Sequence, residues 1–246
     1  MPKTHLKTMK IIATAFCILL IGNIITPIQD SKIVQFDIGK ILNARPVTTL
    51  TINKLKTWSK GIDGGGLGDG YLTLSAALFN GDKQPHALPD DALFPANGSH
   101  PEIQLHYSNA DSLHSQTCNI SGEGGVEFYI PENKYKSVYF VLTSSEGPSQ
   151  LKVEFLYADD STTSEDLVLP DYYDDIPAGQ HKPELCYLAH DLAKWGNKNN
   201  MTEKDHHNID LLTIHPDATK KLKSINIQKK KPGYLVLWAA AGEKVN

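Results

Sequence analysis

The segment with the most unusual chemistry is Gly61-Ile62-Asp63-Gly64-Gly65-Gly66-Leu67-Gly68-Asp69-Gly70. Glycine reaches positive φ without steric cost, so a run this rich in glycine can fold tightly around a ligand. Asp63 and Asp69, with backbone carbonyls around them, suit a calcium nest, because calcium takes six to eight oxygens of mixed origin. The same pattern suits a glycine-rich turn whose aspartates cap their own backbone. The spacing is not that of a repeated calcium-binding β-roll, and no Lys-Ser/Thr follows to make a phosphate loop.

Aromatic residues are the second group, since a flat ring can stack on the apolar face of a sugar. Trp58, Trp195, Tyr172 and Tyr173 fall at expected loop or strand ends, whereas Trp238, in Tyr234-Leu235-Val236-Leu237-Trp238-Ala239, alternates with apolar neighbours and reads as core. For Trp58 a core position competes with a binding one. Asp205-His206-His207 with Asp210 and His215, or Cys186 with His190, lack the spacing of a zinc motif. There is no Gly-x-Ser-x-Gly elbow and no His-Glu-x-x-His. The doublets Asp90-Asp91, Asp159-Asp160 and Asp174-Asp175 fit turns better than facing glycosidase carboxyls.

The elements that must hold these residues are short β-rich runs bounded by Gly, Pro, Asn and Asp: 33–38, 47–54, 71–79, 102–107, 125–130, 137–143, 150–157, 164–169, 209–214, 221–228 and 233–239. In 151–157 and 222–228 apolar residues recur at every second position, so one face meets a core and the other water. Pro183–Lys194 is the one expected helix, with Leu185, Leu188, Ala189 and Leu192 at helical spacing. The pattern is that of an all-β sandwich. Long stretches without strand character, 59–70, 81–100, 169–183 and 196–208, are where a site is expected.

The chain has 246 residues, with 24 Lys and Arg against 28 Asp and Glu, and three cysteines. A net charge of −4 without a basic block excludes a nucleic-acid surface. Lys3, His5, Lys7 and Lys10 before the apolar run 11–25 have the order of a secretory signal, expected over residues 1–30; the run is short for a membrane span, and an uncleaved anchor is the alternative. Export to an extracellular or periplasmic compartment would leave one domain, residues 31–246, with 21 basic and 27 acidic groups and a net charge of −6. It would also leave Cys118 and Cys186, either as a disulfide or as two unpaired thiols.

Four stretches, taken in order, resemble the galactose-binding-type jelly-roll β-sandwich that accompanies secreted glycoside hydrolases, a carbohydrate-binding-module-like fold. They are Ile62-Asp63-Gly64-Gly65-Gly66 leading to Tyr71; Leu88-Pro89-Asp90-Asp91-Ala92-Leu93-Phe94-Pro95; Phe155-Leu156-Tyr157-Ala158-Asp159-Asp160-Ser161 followed by Leu169-Pro170-Asp171-Tyr172-Tyr173; and the closing pair 221–228 and 234–239. Asp160 departs from the glycine usual in the hairpin. The resemblance implies an all-β, single jelly-roll antiparallel sandwich with long loops and at most one short helix. It also implies a structural calcium at Asp63 and Asp69, and a glycan as partner, contacted by Trp58, Tyr172 and Tyr173. Arg45, the only arginine, would then be a bidentate donor to that glycan or else the partner of an acid within the fold. The expectation is a secreted, non-catalytic carbohydrate-binding protein. The alternatives are a small polysaccharide lyase or glycosidase on the same scaffold and an adhesive envelope protein with a protein partner.

Overall fold

The computed structural model describes residues 33–57, 59–63, 69–176 and 183–245; the expected export signal, Trp58, residues 64–68 of the glycine-rich stretch, and residues 177–182 lie outside them. In chain order the elements are β1 (Ile33–Gln35), a 3₁₀ turn (Gly39–Ile41), β2 (Val47–Thr51), β3 (Lys54–Lys56), β4 (Tyr71–Leu72), α1 (Leu74–Phe79), β5 (Leu93–Phe94), β6 (Ile103–Gln104), β7 (Cys118–Ser121), β8 (Gly124–Asn133), β9 (Tyr135–Ser145), β10 (Ser149–Tyr157), β11 (Thr162–Leu169), β12 (Glu184–Trp195), β13 (Met201–Ile214), β14 (Leu222–Lys229) and β15 (Tyr234–Lys244). A six-stranded sheet runs β1-β15-β9-β13-β12, with β7 beside β1 on the same edge of β15, and a four-stranded sheet runs β11-β10-β14-β8. Every pairing in these two sheets is antiparallel.

The two sheets face each other across one core. Alternation builds it: Leu151, Val153, Phe155 and Tyr157 of β10 and Leu222, Ile225 and Ile227 of β14 meet Phe140 and Leu142 of β9, Leu212 and Ile214 of β13, and Leu235 and Leu237 of β15. The fold is thus the all-β sandwich expected, with one short α-helix among the described residues.

The six-stranded sheet is buried on its other face too. Val141, Ile209, Leu211, Val236, Trp238 and Ala241 point away from the sandwich and are covered by Val47, Ile62, Tyr71, Leu88, Ile103, Leu105 and Tyr107. The described residues of the stretch 44–117, sparse in regular strand, therefore form a third layer, and much of the length in excess of a bare sandwich is spent on this cover. Trp238 is in this core as expected; its ring stacks on Tyr71 and its Nε1 donates to Thr143 Oγ1 at 2.9 Å.

Several expectations are corrected. The helix expected over Pro183–Lys194 is strand β12. Its register shifts four times against β13, and Asp191 lies at φ +56°. The first two shifts each insert one residue into β12 and re-aim the next side chain, which spreads Leu188, Ala189 and Leu192 along one face at a spacing that imitates a helix. The helix that does form, α1, lies in the stretch 71–79 expected as strand, where Ala76 and Ala77 are buried against Leu72 and Trp195. The stretch 196–208 is largely the first half of β13. Cys118 and Cys186 are unpaired. They stand on β7 and β12, four strand spacings or about 19 Å apart, and they pack against opposite faces of the sheet, well beyond bridging distance.

Candidate functional site

The loop around Asp63 and Asp69 and the turn around Tyr172 meet. Backbone bonds fix the loop: Ile62 N–H donates to the Asp69 carbonyl at 2.7 Å, and Gly70 and Trp195 exchange both backbone bonds at 2.9 Å, tying the loop to the end of β12. Asp69 N–H also donates to Asp63 Oδ1 at 2.9 Å. The turn is held as firmly. Asp171 Oδ2 accepts from Gly147 N–H at 2.6 Å and its Oδ1 from Tyr173 N–H at 3.1 Å. Tyr172 N–H donates to the Ser144 carbonyl, and Asn208 N–H to the Tyr172 carbonyl. The Tyr172 hydroxyl then donates to Asp63 Oδ2 at 2.6 Å, joining loop and turn.

Lys194 stands at the centre. Its ammonium donates to Tyr173 Oη at 2.7 Å, Tyr172 Oη at 3.3 Å and Asp63 Oδ2 at 3.4 Å, with Asp69 Oδ2 at 3.8 Å and Glu203 Oε2 at 3.9 Å. Burial opposes the charge, but the bond to Tyr173 and the Asp63 carboxylate outweigh it and hold the lysine pKa above its usual value. The side chains of Lys194 and Asp63 are each 12% exposed. The Tyr173 hydroxyl donates to Glu203 Oε2 at 2.7 Å, and Thr202 Oγ1 donates to Asp69 Oδ2 at 3.0 Å. Beneath the tyrosines His207 is fully buried; its Nδ1–H donates to the Leu192 carbonyl at 2.9 Å, and burial pulls its pKa down. Its Nε2 has no hydrogen bond and lies 3.5 Å from Glu203 Oε2. His207 and Glu203 were not singled out from the sequence as members of one site. The bulge at His206, at φ +75°, places them, and no local motif announces it.

The individual candidates fare differently. Tyr172 is buried under its neighbours, and burial with the adjacent Asp63 charge pushes its pKa up strongly. Tyr173 is 41% exposed and offers part of its ring to solvent. Trp195 is buried with Leu72 and Ala193. Arg45 is buried and donates to the carbonyls of His114 and Asp111 and to Thr49 Oγ1, so it braces the cover layer and cannot reach a ligand. Of the residues expected to hold calcium, Asp63 accepts from Asp69 N–H, Tyr172 and Lys194, Asp69 accepts from Thr202, and the Lys194 ammonium lies 3.4 and 3.8 Å from the two carboxylates, while residues 64–68 of the expected nest lie outside the described residues.

A second polar cluster lies toward the other end of β13. Ser137, Tyr139, Glu184, Thr213, His215 and Glu243 line a 340 Å³ depression beside the turn 97–100. Glu243 accepts from Lys136 at 2.6 Å and from the Tyr139 hydroxyl at 3.1 Å, while His215 Nε2 donates to Glu184 at 3.0 Å. His215 Nδ1 donates to the Lys136 carbonyl at 3.0 Å; that bond, with the Glu184 one, raises its pKa. An imidazole with both nitrogens so engaged is not a base for Ser137, although Ser137 Oγ lies 3.2 Å from Nδ1.

No family model and no curated protein matches the chain. A solved structure that does resemble it is the Clostridium thermocellum endo-1,4-β-D-xylanase 10B, in a form comprising its CBM22-1 and GH10 modules complexed with xylohexaose, with 10% identity and a TM-score of 0.29. The match covers 53% of this chain and 22% of that one.

Proposed function

We propose that the protein is an exported, non-catalytic glycan-binding β-sandwich whose site is the junction of Asp63 and Asp69, the 171–174 turn and the bulged ends of β12 and β13. The observation that carries this reading is the 2.6 Å bond from Tyr172 to Asp63, which unites the two loops. Around it a half-exposed tyrosine ring stands beside charged groups already locked by other bonds. That is the composition a sugar site needs: an apolar ring for one face of the pyranose and rigid polar groups for its hydroxyls. The groups are fixed before any ligand arrives, so little entropy is lost on binding. Lys194 and Asp63 satisfy one another and serve as struts, while Tyr173, Glu203 and Asp69 reach solvent.

The test is affinity electrophoresis and calorimetry against a broad panel of soluble polysaccharides and oligosaccharides. Tyr173→Ala is expected to weaken binding at least about tenfold, the contribution of one stacking ring, with the far-UV circular dichroism of the folded protein retained although the thermal midpoint falls, because Tyr173 also accepts the Lys194 bond. Absence of binding across the panel overturns the proposal.

A further inference from the structure

The charge and hydrogen-bond balance of this junction is uneven. Three carboxylates, Asp63, Asp69 and Glu203, surround a single ammonium. The Lys194 donors are directed at Tyr173, Tyr172 and Asp63, and the tyrosine hydroxyls give their hydrogens to Asp63 and Glu203. What remains open is acceptors. Among the described residues no donor reaches Glu203 Oε1 or Asp69 Oδ1, although Glu203 is 40% exposed.

A second observation points the same way. With Nδ1–H committed to the Leu192 carbonyl, neutral His207 carries its lone pair on Nε2. That atom is buried, unpartnered, and directed at Glu203 Oε2 3.5 Å away. Two acceptors facing each other with no hydrogen between them are an uncompensated arrangement. Beside them Tyr173 is 41% exposed, and Lys194 meets it at the hydroxyl, 2.7 Å from Oη, rather than over the ring. The depression at the other end of β13 has no such excess, since Glu243 and Glu184 are matched there by Lys136 and His215.

Building on the glycan-binding reading, we propose that this junction selects a saccharide carrying a protonated amine, such as a glucosamine unit, and holds its ammonium against Glu203 and Asp69 beside Tyr173. An ammonium supplies both the missing charge and the missing donors. A uronate would add negative charge to a site that has too much, and an N-acetylated unit would bring a single N–H and no charge.

The experiment is calorimetry at about pH 6, where most of the sugar amine is protonated, with the tetramers of glucosamine, N-acetylglucosamine, glucose (β-1,4) and galacturonate. The glucosamine tetramer is expected to bind at least about tenfold tighter than its acetylated form, with the advantage shrinking as salt rises. Glu203→Gln should remove most of that advantage, and Glu184→Gln, at the other cluster, should leave it intact. Equal affinity for the two hexosamine tetramers, preference for galacturonate, or equal loss in Glu184→Gln overturns the amine selectivity while leaving glycan binding standing. No binding of any tetramer or of the wider panel removes the glycan reading as well.

Discussion

The two polar clusters that β13 carries toward its ends use similar residue types to opposite effect. Toward its start, Lys194 is nearly buried, its carboxylate partners outnumber it, and the histidine beneath is neutral. Toward its end, Lys136 is 52% exposed, Glu243 and Glu184 each have a basic partner, and the bonds from His215 to a backbone carbonyl and to Glu184 raise its pKa. The difference shows that residue type alone does not make a site. Burial turns a lysine into a strut and leaves the surrounding acids unbalanced, whereas exposure lets charges pair off and leaves nothing for a ligand.

The largest expected effect is on stability. Lys194→Met strips the ammonium from the almost buried Asp63 and should cost about 3 kcal/mol or more in denaturant unfolding, as breaking a buried pair does. Lys136→Met removes a half-exposed partner from Glu243, which keeps its bond from Tyr139, and should cost less than about 1 kcal/mol. Comparable losses in the two variants would erase the distinction between the clusters.

A smaller effect separates the histidines. Burial depresses the folded pKa of His207 below 6.5, so its share of stability is intact above pH 6.5 and is lost as pH falls from there through the folded value. The bonds to the Lys136 carbonyl and Glu184 raise that of His215, so its share is full below pH 6.5 and is lost as pH rises through the folded value. Histidine side-chain NMR titration should therefore show His215 titrating above pH 6.5 and His207 below it; midpoints in the reverse order would contradict both environments.

How much of this was legible beforehand follows from the physics of each element. The sandwich was readable because β10 alternates along its length and β14 from Ile225 onward, and alternation is a local signal. The meeting of the glycine-rich loop with Tyr172-Tyr173 is not legible in the sequence, since nothing local fixes a contact between residues 63 and 172. β12 was misread because bulges displace its apolar residues from a period of two. Lys194 and Glu203 drew no notice, as isolated charged residues look like solvated surface until a fold gathers them. Arg45 was legible as a lone arginine but not as a brace, because its partners are backbone carbonyls, which leave no mark in sequence.

The smallest expected effect concerns calcium, and it bears on the comparison because it asks what neutralises Asp63 and Asp69. An ion held only by the native state stabilises it, so removing such an ion lowers the thermal midpoint. With the Lys194 ammonium 3.4 Å from Asp63 and 3.8 Å from Asp69, the positive charge there belongs to the chain itself. Chelation with EDTA should then move the midpoint by no more than about 1 °C in the parent protein, against the roughly 2–4 °C that each lost kcal/mol would bring in a chain of this size. In Lys194→Met the two carboxylates are released, and millimolar calcium should recover part of the lost stability. A drop of several degrees on chelating the parent protein would instead make Asp63 and Asp69 metal ligands and demote Lys194 from central cation to bystander.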